Sequence, residues 1–136
     1  MIFSMDQLIS GMEGVDTDRG LVNCGGSMEA YLDVLESFLE DSTAKLRELK
    51  PFQKKNFHNI HETELHWFAH TVHAVKGVSA IIGAQDLSKK AAGLEKAAKG
   101  GDREIMQKDF PDFYNDIKTI IERVQFFLKD NTAGEG

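Results

Sequence analysis

Three histidines on one helical face, followed by a lysine and a glycine, are the residues of this 136-residue chain best placed to do chemistry: His66, His70, His73, Lys76 and Gly77. A neutral imidazole needs no separate base to act as a nucleophile, because its ordinary pKa of about 6.5 leaves it largely unprotonated at neutral pH. An ammonium one turn away, at Lys76, would offset charge on a transferring phosphoryl group. A bare backbone at Gly77 would let the loops of a partner close around His73 in line. Each residue alone has a bland reading, since surface histidines and lysines are common and mostly only solvated. The conjunction at i, i+3 and i+4 carries the weight, and it suits reversible phosphoryl transfer with His73 as the acceptor.

A helix turns by about 100° per residue, so the positions around His73 divide into faces without further information. Leu65, Phe68, Val72, Val75, Ser79 and Ile82 fall together as a core stripe. Opposite them lie His66, His70, His73, Gly77, Ala80 and Ala84, flanked by Lys76 and Ile81. From Gly77 onward this outward face is small and apolar where a solvated helix carries charge. A glycine there costs about 1 kcal/mol relative to alanine and gains nothing from core packing, which marks the face as a docking surface.

Metal binding is the competing chemistry. All five histidines, His58, His61, His66, His70 and His73, fall within sixteen residues, and a pair at i, i+4 can chelate zinc. The chain has no HExxH, no Glu-x-x-His pair on a second helix and no partner cysteines, so no metal site is assigned and no cofactor is expected in this chain.

The elements that must position these residues follow from the apolar period. Long segments repeat apolar residues every three or four positions and only Pro51 and Pro111 interrupt, so the fold is predicted to be all α. Met1 to Ser10 reads as a short helix closed by Gly11, and Asp16 caps a second one over Thr17 to Cys24 that stops at Gly25-Gly26. Ser27 caps a long helix with Met28, Leu32, Leu35, Phe38, Leu39, Leu46 and Leu49 inward, ended by Pro51, and KPFQKKNFHN is the connecting loop. Asn59 with Glu62 forms a capping box for the helix that carries His73 as far as Gly83. Gln85 to Lys99 is the next helix, with Leu87, Ala91, Leu94 and Ala98 inward. Asp102 caps the last, which runs to about Lys129 and should kink or restart at Pro111. Four long helices with short connections pack most simply as an antiparallel four-helix bundle, with one or two short additional helices at the N-terminus. The whole chain, 1–136, is expected to be one domain with its core over about 14–129 and a frayed tail at 130–136.

Charge and composition exclude other classes. A formal charge of −6, from 16 Lys and Arg against 22 acids, gives no clustered cationic footprint for nucleic acid. No apolar run approaches the roughly 20 residues of a membrane span, the start has acids where a signal peptide has basic residues, and Cys24 stands alone. A cytoplasmic protein, monomeric because its exposed apolar strip is small, is the expectation.

HAVKGVSAIIGA resembles the signature of the histidine-containing phosphotransfer domain. There a His is followed by Lys at +3, Gly at +4, a small residue at +6 and Gly at +10, and His73, Lys76, Gly77, Ser79 and Gly83 stand at those places. GVDTDRGLVNCGGSMEAYLDVLESFLED is similar to the family's opening of a short helix, a Gly-rich break and a long helix with Tyr-Leu. DLSKKAAGLEKAAKGGD looks like its next helix and Gly-Asp turn, so the likeness covers about Gly14 to Lys129. Departures are Val72 and Val78, where small residues are frequent, and Ile81 at a frequently polar place. Ala69-His70-Thr71-Val72 offers a second register, but it would put His73 and Ala74 where Lys and Gly belong.

The resemblance implies a bundle with an exposed phosphoacceptor, His73. It would shuttle a phosphoryl group to or from the aspartate of response-regulator receiver domains, including those of hybrid sensor histidine kinases, in multistep phosphorelays. Magnesium would belong to the receiver. In some members a polar residue on the following helix supports the imidazole, and Glu95 occupies the matching place. His70, Ala80, Ile81 and Ala84 would dock the partner. A docking module that is never phosphorylated remains the rival, with Lys76 and Gly77 against it. A self-phosphorylating kinase is excluded, because the chain has no Gly-rich nucleotide box and no length for an ATP-binding domain beside the bundle.

Overall fold

The computed structural model describes residues 12–133, so the short helix expected over Met1–Ser10 lies outside the described residues. Helix α1 spans Thr17–Asn23, and the side chain of Asp16 accepts from the Arg19 N–H at 3.0 Å, as expected of its cap. Gly25 and Gly26, at φ 71° and 78°, turn the chain. Ser27 then caps α2, Met28–Leu49, through its Oγ and the Ala30 N–H at 3.2 Å.

The inward face of α2 is rotated slightly from the expected stripe. Leu35, Phe38 and Leu49 are buried, but Tyr31 and Ser42 are too, while Met28, Leu32, Leu39 and Leu46 are only partly covered. Tyr31 earns its place with a polar partner. Its hydroxyl donates to the carbonyl of Ile82 at 3.0 Å, and burial pushes the phenol pKa up.

KPFQKKNFHN is expected as a plain loop but folds into two 3-10 turns, Lys50–Lys54 and Phe57–Asn59. Phe52 and Phe57 enter the core and meet Phe68 and Phe110, with ring centroids 5.2 to 6.4 Å apart. Arg103 Nη1 donates to the carbonyls of Phe57 (2.7 Å) and Ile60 (2.8 Å), pinning the connection to the last helix.

The next helix, α3, spans Glu62–Ile82. The cap expected at Asn59 lies at His61 instead, whose N–H donates to Glu64 Oε1 at 3.4 Å. Asn56 Oδ1 accepts from the His58 N–H and spends Asn59 in the second 3-10 turn, so the capping pattern starts two residues later. Gly83, at φ 95°, closes α3. α4 follows over Gln85–Gly100 and ends at Gly101, φ 71°. Asp102 Oδ1 accepts from the Ile105 N–H at 3.2 Å at the start of α5, Arg103–Ala133.

Pro111 does not restart α5, which continues through it; Phe110 and Phe113, fully buried on either side, hold the helix against the one lost backbone bond. The helix also passes Lys129, so residues 130–133 are helical where a frayed tail is expected.

No strand occurs among the described residues, and the protein is an all-α helical bundle. Two-residue turns reverse the chain between α3 and α4 and between α4 and α5, so these neighbours run antiparallel. α3 packs most extensively on α4, α5 closes the bundle against α2 and α4, and α1 lies across the end of α3.

Candidate functional site

The residues of the expected core stripe, Leu65, Phe68, Val72, Val75, Ser79 and Ile82, are all buried, and this orientation forces the opposite side of α3 outward. His66, His70, His73, Gly77, Ala80 and Ile81 are exposed there, Ile81 at 45%. Ala84 is not among them: it is completely buried. The left-handed residue Gly83 ends the helical rotation, so a wheel carried past Ile82 misplaces the next side chain, which turns under the start of α4.

His73, with its side chain 59% exposed, stands over the α3–α4 seam, where its Nδ1 lies 2.7 Å from Glu95 Oε2. Lys76 Nζ donates to the other oxygen, Oε1, at 2.7 Å, and Lys99 Nζ reaches Oε2 at 2.9 Å. The Glu95 side chain is only 7% exposed, so one covered carboxylate holds three nitrogen donors. The Lys76 ammonium first, with Lys99 and His73 behind it, outweighs the cost of burial and holds the Glu95 carboxyl at about 2.

An ionised carboxylate can only accept, so Nδ1 must carry the ring proton. In a neutral ring this tautomer leaves the lone pair on Nε2. Sequence spacing placed Lys76 and Gly77 beside His73, and Glu95 joins them from the neighbouring helix.

Gly77 is the open point of this face. A Cβ built there meets nothing within 4 Å, whereas Gly20 would drive a Cβ to 2.4 Å from both the carbonyl oxygen of Ile82 and the ring of Tyr31. Ser88 Oγ donates to the Lys76 carbonyl at 2.9 Å and fixes α4 against the turn that carries the site. On the N-terminal side of His73 a groove of about 590 Å³ runs between α3 and α4, lined by His66, Ala69, His70, Glu95, Lys99 and neighbours.

Asn23, which the sequence did not single out, and Asp16, expected only as a cap, hold the far end of the face. Asn23 Nδ2 donates to the carbonyls of Ala80 (3.3 Å) and Ile81 (3.2 Å), and the Asp16 N–H donates to that of Gly83 at 2.8 Å. With Tyr31 on Ile82 and the Gly83 N–H on Ala80, these bonds engage the carbonyls at the end of α3 and its cap, which have no partner within the helix itself. Lys99 was the other omission. Its only signal in the sequence is the i+4 spacing from Glu95.

Among the described residues no three His, Cys, Asp or Glu side chains are grouped to hold a metal ion, and no helix is long and apolar enough to cross a membrane. A family model described as Hpt domain matches residues 28–126. No curated protein and no solved structure is significantly similar to the chain.

Proposed function

Because the chain belongs to the Hpt domain family, whose members are phosphocarrier modules of two-component systems and not kinases, we propose that it relays a phosphoryl group between receiver domains through His73. The observation that carries this reading is the bond from Nδ1 of the exposed His73 to the covered carboxylate of Glu95, which directs the other ring nitrogen, Nε2, to the chemistry.

In the accepting step Nε2 attacks the phosphorus of a receiver's phosphoaspartate. The new N–P bond forms as the acyl P–O bond breaks, and the receiver's carboxylate departs with the electron pair. The ring keeps its Nδ1 proton and gains positive charge, which the Glu95 carboxylate 2.7 Å away stabilises. Passing the group to a second receiver reverses these bonds. Lys76 uses one of its three N–H donors on Glu95 and has two for the phosphoryl oxygens. Magnesium belongs to the receiver, free-standing or part of a hybrid sensor histidine kinase.

His70, Gly77, Ala80 and Ile81 form the docking face, without Ala84, and the bare Gly77 gives the partner's loops room beside the ring. We read the chain as a cytoplasmic monomer. The test is transfer from a phosphorylated receiver domain to the wild type and to His73→Gln and His70→Gln. Acid-labile label lost only in His73→Gln is the expected result. Absence of transfer from every receiver tried would overturn the reading.

A further inference from the structure

We propose that Lys99 is a positioning residue for the transfer, one that keeps His73 in its neutral, nucleophilic form while Glu95 holds the ring. The inference rests on the phosphocarrier reading and on one geometric fact: Lys99 Nζ and His73 Nδ1 both bond the same oxygen, Glu95 Oε2, at 2.9 and 2.7 Å.

A buried carboxylate beside an imidazole does two things at once. It accepts from Nδ1–H and so fixes the tautomer, which transfer needs. It also attracts a second proton to the ring, which transfer cannot tolerate, because an imidazolium has no lone pair at Nε2. Lys76 alone on Oε1 would bring the charge of the cluster to zero. With Lys99 added, one carboxylate faces two ammonium groups, and the cluster carries a net positive charge before the ring is counted. That charge opposes ring protonation while leaving the Nδ1 bond in place.

The charged and titratable groups facing His73 are few. They are His70 and Lys76 on α3 and Glu95 and Lys99 on α4, with His66 and Glu62 farther along the groove. On α2, Glu48 meets Thr71, some 200° around the helix from His73, and Asn23 and Asp16 bond the Ala80 to Gly83 end of α3. No other described group replaces the charge of Lys99 at Oε2.

An ordinary helix-surface pair is the plainer reading of a Glu and a Lys at i, i+4. It would affect stability and leave the ring alone.

The experiment follows the His73 ring by NMR titration in the whole protein, with phosphotransfer from a receiver loaded by acetyl phosphate measured across pH. The wild type is compared with Lys99→Gln, which keeps helix propensity, and Lys99→Arg, which keeps the charge. The expected result is that the His73 ring takes up its second proton at a higher pH in Lys99→Gln than in the wild type. Transfer relative to wild type then falls about threefold near pH 6, on the acid limb of the imidazole. It matches wild type near pH 8.5, and Lys99→Arg behaves as wild type throughout.

A ring midpoint that does not move in Lys99→Gln overturns the role of Lys99, and a fall in transfer equal at every pH would then assign the residue to docking or folding. A wild type that accepts no phosphoryl group sinks the phosphocarrier reading and the transfer role together, an outcome separate from the first because the ring titration needs no transfer.

Discussion

Glu95 is where the chemistry of single residues is decided, because its two oxygens serve three donors from two helices. Replacing it with Gln keeps an oxygen that can accept, but it also offers an NH₂ group and removes the anion that stabilises the ring as Nε2 takes on phosphorus. Transfer should fall at least roughly tenfold in Glu95→Gln, the scale on which groups that orient a reactive histidine act. Ring ¹⁵N shifts, reporting which nitrogen holds the proton, provide the check beside the rate. The same substitution tests acid stability. A carboxyl held at about 2 in the folded protein, below its ordinary 4.5, favours the folded state above the ordinary value. That contribution is lost as the pH falls from about 4.5 towards 2. Urea midpoints measured at pH 7 and pH 3 should therefore fall less in Glu95→Gln than in the wild type. At this scale the sequence was informative where partners share a helix: Lys76 and Gly77 lie within four residues of His73, and the helical period alone brings them together. Glu95 entered through family likeness. Lys99 was missed because its importance depends on how α4 lies against α3, which no local pattern encodes.

Two helical glycines separate what an element needs for folding from what it needs for its partner. Gly20, in α1, sits where an added Cβ would meet the Ile82 carbonyl and the Tyr31 ring at 2.4 Å, so Gly20→Ala must lift α1 off the end of α3. The expected cost is about 1 to 3 kcal/mol, as for overpacking elsewhere, with faster amide exchange around residues 80–83. Gly77→Ala meets nothing, and an exposed glycine inside a helix is worse than alanine by about 1 kcal/mol, so this change should raise the melting temperature. If the partner's loops close beside His73, the same added methyl slows transfer, giving a variant that is more stable and less active; thermal unfolding and transfer rates measured on one preparation check both signs. The caps at Asp16, Ser27 and Asp102 and the stop at Gly83 were legible because each is local chemistry. Asn59 failed as a cap because a 3-10 turn claimed it, and Ala84 failed as a surface residue because the wheel ends where Gly83 turns left-handed.

Across the whole molecule, the aromatic cluster of the core and the reactive site occupy different parts of the bundle. Phe52, Phe57, Phe68 and Phe110 join the α2–α3 connection, α3 and α5 in one aromatic cluster, and Arg103 secures that connection from α5. The sequence hid this arrangement: Phe52 and Phe57 lie in a polar, lysine-rich stretch whose composition says loop, and only the approach of α5 gives them neighbours. His73, Glu95, Lys76 and Lys99 depend instead on the α3–α4 seam, fixed by the short turn at Gly83-Ala84 and by the bond from Ser88 to Lys76. Removing a large ring from the aromatic cluster should therefore lower global stability without reshaping the seam. Phe57 is fully buried and contacts three of the other rings, so Phe57→Ala should cost about 3 to 5 kcal/mol, read as a lower urea midpoint. At a temperature low enough to keep that variant folded, its transfer rate per folded molecule should equal that of the wild type. A rate that fell with stability would mean that the aromatic cluster and the seam are mechanically coupled, and α3, which contributes Phe68 to one and His73 to the other, is the element through which the coupling would pass.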